Sequence, residues 1–100
     1  MPFYQSPKNY KIEIDYENYQ TIAVYSFTDV EGNSTPLKIK IDLPDATRVT
    51  VAVDGVRLSK ELPGRTLYNC YVTLNGRKQL IDIIYYQEQG LWVTEKIKSY

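Results

Sequence analysis

The dipeptide Asn75-Gly76 stands between two runs of strand-forming residues, Arg65–Leu74 and Arg77–Gln87, and constrains this chain more than any other feature. A two-residue connection between antiparallel strands needs positive φ at both positions, and Asn followed by Gly tolerates that best. Such a turn fixes a register. Tyr68, Cys70 and Val72 fall beside Ile83, Ile81 and Gln79 on one face, and Leu67, Asn69 and Tyr71 fall beside Ile84, Asp82 and Leu80 on the other. Both faces are substantially apolar, which puts this hairpin at the centre of the domain.

The same period of two runs through the rest of the chain. Tyr10, Ile12, Ile14 and Tyr16 alternate with Lys11, Glu13 and Asp15, and Leu37, Ile39, Ile41 and Leu43 alternate with Lys38, Lys40 and Asp42. Val49, Val51 and Val53 repeat the pattern, and nothing carries a helical period. Tyr19–Thr28 is apolar on both sides, as a central or covered strand would be. If Glu17-Asn18 turns tightly before it, Tyr10 faces Tyr25, Ile12 faces Ala23 and Tyr16 faces Tyr19. Asp54-Gly55 is a second hairpin signal, pairing Val53 with Val56 and Val51 with Leu58. Asp29–Pro36, Pro44–Thr47, Ser59–Gly64 and Gln87–Gly90 supply the other breaks. Leu91–Ile97 ends the pattern, with Lys96 and Lys98 marking a charged edge strand.

The expectation is a single, small, all-β antiparallel domain spanning 10–100, with seven or eight hairpin-linked strands. Residues 1–9 form a loose arm in which Pro2 and Pro7 discourage pairing. A β-sandwich is the expected architecture, with a small, partly closed barrel as the alternative. Leu67-Tyr68-Asn69-Cys70-Tyr71-Val72 resembles the sixth strand of immunoglobulin domains, but the partner cysteine is missing and Trp92 follows this strand instead of preceding it. No immunoglobulin property is carried across.

Composition narrows the function. Ten tyrosines and no histidine supply the vocabulary of sheets and recognition surfaces and withhold the commonest acid/base and metal ligand. No phosphate-cradling Gly-rich loop or nucleophile elbow is present, and one cysteine, Cys70, permits neither an internal disulfide nor a thiolate metal site. The reading is therefore of a protein that is not an enzyme and has no cofactor. Twelve basic residues against twelve acidic ones argue against nucleic acid as the partner. No apolar run approaches a membrane span, and the first residues lack a secretory pattern, so a soluble, intracellular, cytoplasmic protein is expected.

Two sets of residues are candidates for function. Asn69 and Asp82 face each other across the central hairpin and interrupt apolar surroundings, as a cross-strand hydrogen bond or the polar floor of a groove would. Tyr71, Tyr86, Trp92 and Tyr100 are the aromatics least demanded by a core, and form the candidate interaction surface. The function expected is a protein-binding or self-associating module that uses an aromatic face or a strand edge. Its alternatives are a β-barrel carrier of a small ligand and a single-stranded nucleic-acid-binding domain.

Overall fold

The computed structural model describes residues 13–97. Within them the chain forms β1 (Tyr19–Thr28), β2 (Ser34–Asp42), β3 (Arg48–Leu62), β4 (Arg65–Leu74), β5 (Arg77–Tyr86) and β6 (Leu91–Glu95). Each strand pairs antiparallel with the next, and β6 returns to pair with β1, so the six close into a barrel in chain order. The all-β antiparallel class is as the alternating pattern requires. The sandwich of seven or eight strands is not what forms, and two segments explain the difference.

Asp54-Gly55 is not a turn. β3 runs straight through it for 15 residues, pairing with β2 from Arg48 to Ala52 and with β4 from Val53 to Leu62. Register shifts fall between Val53 and Gly55 and between Val56 and Leu58, so each inserts an unpaired residue. A bulge bends and coils a strand, as a barrel corner demands, and glycine marks such bends. It also resets alternation: Val53 pairs with Val72 and Val56 with Cys70, so both valines face inward although they are three apart. Asp54 is tied to β4 instead of closing a hairpin, its carboxylate accepting the Thr73 hydroxyl at 2.8 Å.

The second segment is the expected first strand. Tyr10 and Ile12 lie outside the described residues, and Glu13–Asp15 have no strand conformation. A turn does form at Tyr16–Asn18, held by Asp15: its carbonyl accepts the Tyr19 amide at 2.9 Å, and its carboxylate accepts the Asn18 side chain at 2.8 Å. Tyr16 does not pair with Tyr19, because residues 16–18 form this turn and Tyr19 takes its strand partner from β6. Tyr19–Ile22 pair with β6 and Ala23–Thr28 with β2. For the same reason β6 is no edge strand; it is held between β5 and β1.

The central hairpin forms in the register that Asn75-Gly76 dictates, from Leu74 opposite Arg77 to Leu67 opposite Ile84 and beyond. Asn75 and Gly76 both have positive φ, 52° and 75°, as that turn needs. The barrel interior is narrow and filled by side chains: Ile22, Ile39, Ile41, Val51, Cys70, Val72, Leu74 and Ile83 make one buried cluster. Each buried aliphatic side chain contributes about 1.5–3 kcal/mol. Before Ala23, β1 lies apart from β2 and pairs with β6, and the Gln20 side chain bridges the gap to β2, donating to the Asp42 carbonyl at 3.2 Å and accepting its amide at 2.9 Å.

Two hairpins share one turn geometry with different residues at the critical position. In Asp29–Asn33 and in Leu43–Thr47 the first residue's amide donates to the last residue's carbonyl, and its own carbonyl accepts the amide three residues on. The fourth residue is left-handed in both: Gly32 at φ 87° and Ala46 at φ 70°. Alanine pays a steric cost there that glycine does not. Ala46→Gly should therefore raise stability by about 0.5–1 kcal/mol, and Gly32→Ala should lower it by a similar amount. Urea denaturation of the two variants checks this, and a stability gain from Gly32→Ala would contradict the geometry.

Candidate functional site

The barrel is closed around one half of its length and opens at the other. Pairing of β2 with β3 ends at Lys38 opposite Ala52, and pairing of β1 with β6 ends at Ile22 opposite Trp92. Beyond those points the β1–β2 hairpin diverges from the sheet formed by β6, β5, β4 and the second half of β3. Among the described residues no strand lies along the second edge of β3 from Gly55 to Leu62. Pro36, which cannot donate to a ladder, sits on β2 at the point of divergence, fully buried beside a register shift.

Between hairpin and sheet lies a cleft of about 550 Å³. Tyr68, Tyr85 and Trp92 form its floor, Val56, Ser59 and Glu61 of β3 one wall, and Ser26 and Gly32–Thr35 of the hairpin the other, with Thr66 and Gln87 between. The ring centroids of Tyr85 and Trp92 are 4.8 Å apart at 43°, and those of Tyr68 and Trp92 5.6 Å at 30°. These are tilted aromatic contacts within the favourable range, and they pack the three rings into one cluster with Trp92 between the tyrosines. Gln87 donates to the Thr66 hydroxyl at 3.3 Å, and its amide donates to the Gly64 carbonyl at 3.1 Å, bracing the far end of the cleft. Burial pushes the Tyr68 phenol above its ordinary pKa, and the nearby Glu61 carboxylate and Cys70 push it the same way.

Register explains how the trio assembles. Tyr85 lies opposite Trp92 and Tyr68 opposite Ile83, so all three side chains share the inner face with Ile83 and Thr94. Trp92 thus faces the barrel interior and packs on its core cluster, while Leu91 and Val93 lie on the outer face. Val93 is nevertheless fully buried on that outer face, as Tyr86 nearly is.

The four aromatics singled out in the sequence do not come together. Trp92 lines the cleft, Tyr86 is buried on the outer face, and Tyr71 is exposed on that face opposite Leu80, roughly 20 Å from Tyr86 at the strand spacing. Tyr100 lies outside the described residues. Tyr68 and Tyr85, which are not among those four, complete the floor. The signal was available: a four-residue Gln87–Gly90 turn sets Tyr85 opposite Trp92.

Asn69 and Asp82 pair as their register requires, the Asn69 amide donating to the Asp82 carboxylate at 2.7 Å. The Asn69 oxygen accepts the Arg57 guanidinium at 3.0 Å, making a cation–amide–anion row across β3, β4 and β5 on the outer face. The row borders a shallow hollow of about 300 Å³ beside Gln79, Leu80 and Thr94–Ile97. Asp42, which brackets the next turn with Asp45, is held by Arg48 at 2.9 Å. Among the described residues no group of three or more His, Cys, Asp or Glu could hold a metal ion, and no helix is long and apolar enough to cross a membrane.

Cys70 is fully buried in the core cluster, and burial, with a smaller contribution from Asp82, raises its pKa to about 11. At pH 8 roughly one thiol in a thousand is then thiolate. An acid whose folded pKa exceeds its unfolded value contributes stability that is complete below the unfolded pKa and lost as pH rises through the folded one. For Cys70 that window runs from pH 9 to about 11, and the raised phenols of Tyr19 and Tyr68 extend it upward. Stability should fall by about 1 kcal/mol from Cys70 alone between pH 8 and pH 10. Urea titrations of the native chain and Cys70→Ala at both pH values measure it; equal pH dependence in the two would contradict the assignment.

Trp92 joins core to cleft, so Trp92→Ala should cost about 2 kcal/mol, less than a fully buried tryptophan. Trp92→Phe, which keeps a ring against Tyr85, should cost under about 1 kcal/mol. Thermal melts of the two variants test this. Comparison with protein-family models, with curated proteins and with solved structures found no match to this chain.

Proposed function

We propose that the domain is a non-enzymatic protein-binding module that receives an extended segment of a partner along β3 from Gly55 to Leu62. Alternate side chains of that segment lie in the cleft on Tyr68, Trp92 and Tyr85. One observation carries the reading: a strand edge with no described partner runs directly beside an aromatic-floored cleft. A strand edge offers amides and carbonyls in register to any extended chain, and the adjoining cleft adds selectivity for its side chains. Rings already packed against one another lose little freedom on binding, which suits them to carry affinity.

Other features support this reading over its alternatives. The cleft is open along its length, which suits a continuing chain better than an enclosed carrier's ligand. No Lys or Arg is among its described lining residues, and tracking a nucleic-acid backbone requires them.

Selection from a displayed library of peptides long enough to span Gly55–Leu62 tests the proposal. Bound peptides should share a common side-chain pattern at alternate positions, and amide exchange in Gly55–Leu62 should slow on binding. Ser59→Trp, which fills the cleft from an exposed position, should weaken binding at least about tenfold without loss of folding. Failure to select any peptide, or full binding by folded Ser59→Trp, would overturn the proposal.

A further inference from the structure

The cleft has a charge character that its aromatic floor makes specific. Of its described lining residues Glu61 alone is charged, and it stands on the wall above Tyr68. Three electron-rich rings line the cleft, and the carboxylate adds a full negative charge to the same small volume. The other described lining residues are neutral, so no positive charge among them opposes a cation.

We infer that the cleft is a cation-recognition site, taking an ammonium or guanidinium group against the Trp92–Tyr85–Tyr68 floor with Glu61 as its counter-charge. The inference deepens the peptide-docking reading and rests on it for the source of the cation, a basic side chain of the docked segment. Four features converge on it. Trp92 packs against both Tyr85 and Tyr68, at 4.8 and 5.6 Å between ring centroids, so the three rings stand together in the floor of the cleft. Glu61 pairs with Thr66 across β3 and β4, and Ser59 with Tyr68, which sets the carboxylate one pair from the aromatic floor on the same inner face. The effect of Glu61 on the Tyr68 phenol agrees with that placement. The volume, about 550 Å³, admits a quaternary ammonium head together with its alkyl stem. An anion there would meet the Glu61 carboxylate and no Lys or Arg among the described lining residues, so the preference has a sign.

Trp92 is the sole tryptophan, so its fluorescence reports on the floor alone. The test titrates the whole chain with choline, and with the neutral analogue in which a tert-butyl carbon replaces the nitrogen, at matched ionic strength. Choline should change Trp92 emission saturably, and the neutral analogue should bind at least about tenfold more weakly, since it has the shape without the charge. Glu61→Gln should weaken choline at least about threefold and leave the neutral analogue unchanged. Equal binding of the two probes, no saturable response to choline, or indifference of choline to Glu61→Gln would each overturn the inference. The outcomes separate from those of peptide selection. Peptides selected without basic residues, with the two probes binding equally, remove the cation preference and keep the docking edge. Choline binding that depends on Glu61, with no peptide selected, removes the docking edge and keeps the cation site.

Discussion

Everything in this domain depends on two strands that change partners midway. β1 gives its first residues to β6 and the rest to β2; β3 gives its first to β2 and the rest to β4. A strand that serves two neighbours in succession must coil, and bulges and glycine allow it to do so. Those two strands turn what would be two stacked sheets into a closed wall. They also determine where closure stops, because once each has changed partner its earlier neighbour is left behind. The core and the cleft are therefore consequences of the same geometry, one where the pairings overlap and the other where they part.

The parts of the fold legible in the sequence are those governed by local turn chemistry. Asn75-Gly76 specified every pair of the central hairpin because a two-residue turn leaves no slack. Asp54-Gly55 misled for a physical reason. A two-residue hairpin and a one-residue bulge both put residues 53 and 56 on the same side, so Val-Asp-Gly-Val reads alike in either case. Only long-range pairing, Val53 with Val72 and Val56 with Cys70, distinguishes them, and that pairing is non-local. The candidate site was legible in fragments. Asn69 and Asp82 meet because they belong to the well-specified hairpin. The aromatic trio draws on three strands, and its assembly depends on which face of β6 turns inward. Hydrophobicity does not decide that, since Leu91 and Val93 are as apolar as Trp92.

The cleft's chemistry follows from being made of side chains that belong to the core's inner face but lie beyond the core's reach. Tyr68 and Tyr85 continue the same inward rows as Cys70 and Ile83, and where the hairpin diverges they lose the residues that would have covered them. A site built this way needs no special loop. Its frame comes from the strands, and its polar character from the few polar residues of β3 and the hairpin that replace aliphatic ones along the rows.

The burial of consecutive residues in β6 has a dynamic consequence. Val93 and Thr94 point to opposite faces and neither is exposed, so the wall at that point is dry on both sides. Water reaches the amides there only if the wall itself comes apart, whereas the divergent end has a strand edge with no partner strand among the described residues. The barrel therefore has a gradient of order along its axis, tightest where β6 meets β1 and loosest where the hairpin leaves β3. A guest seated at the loose end would complete pairing that the fold leaves unfinished, so that binding and the ordering of that end would be a single event.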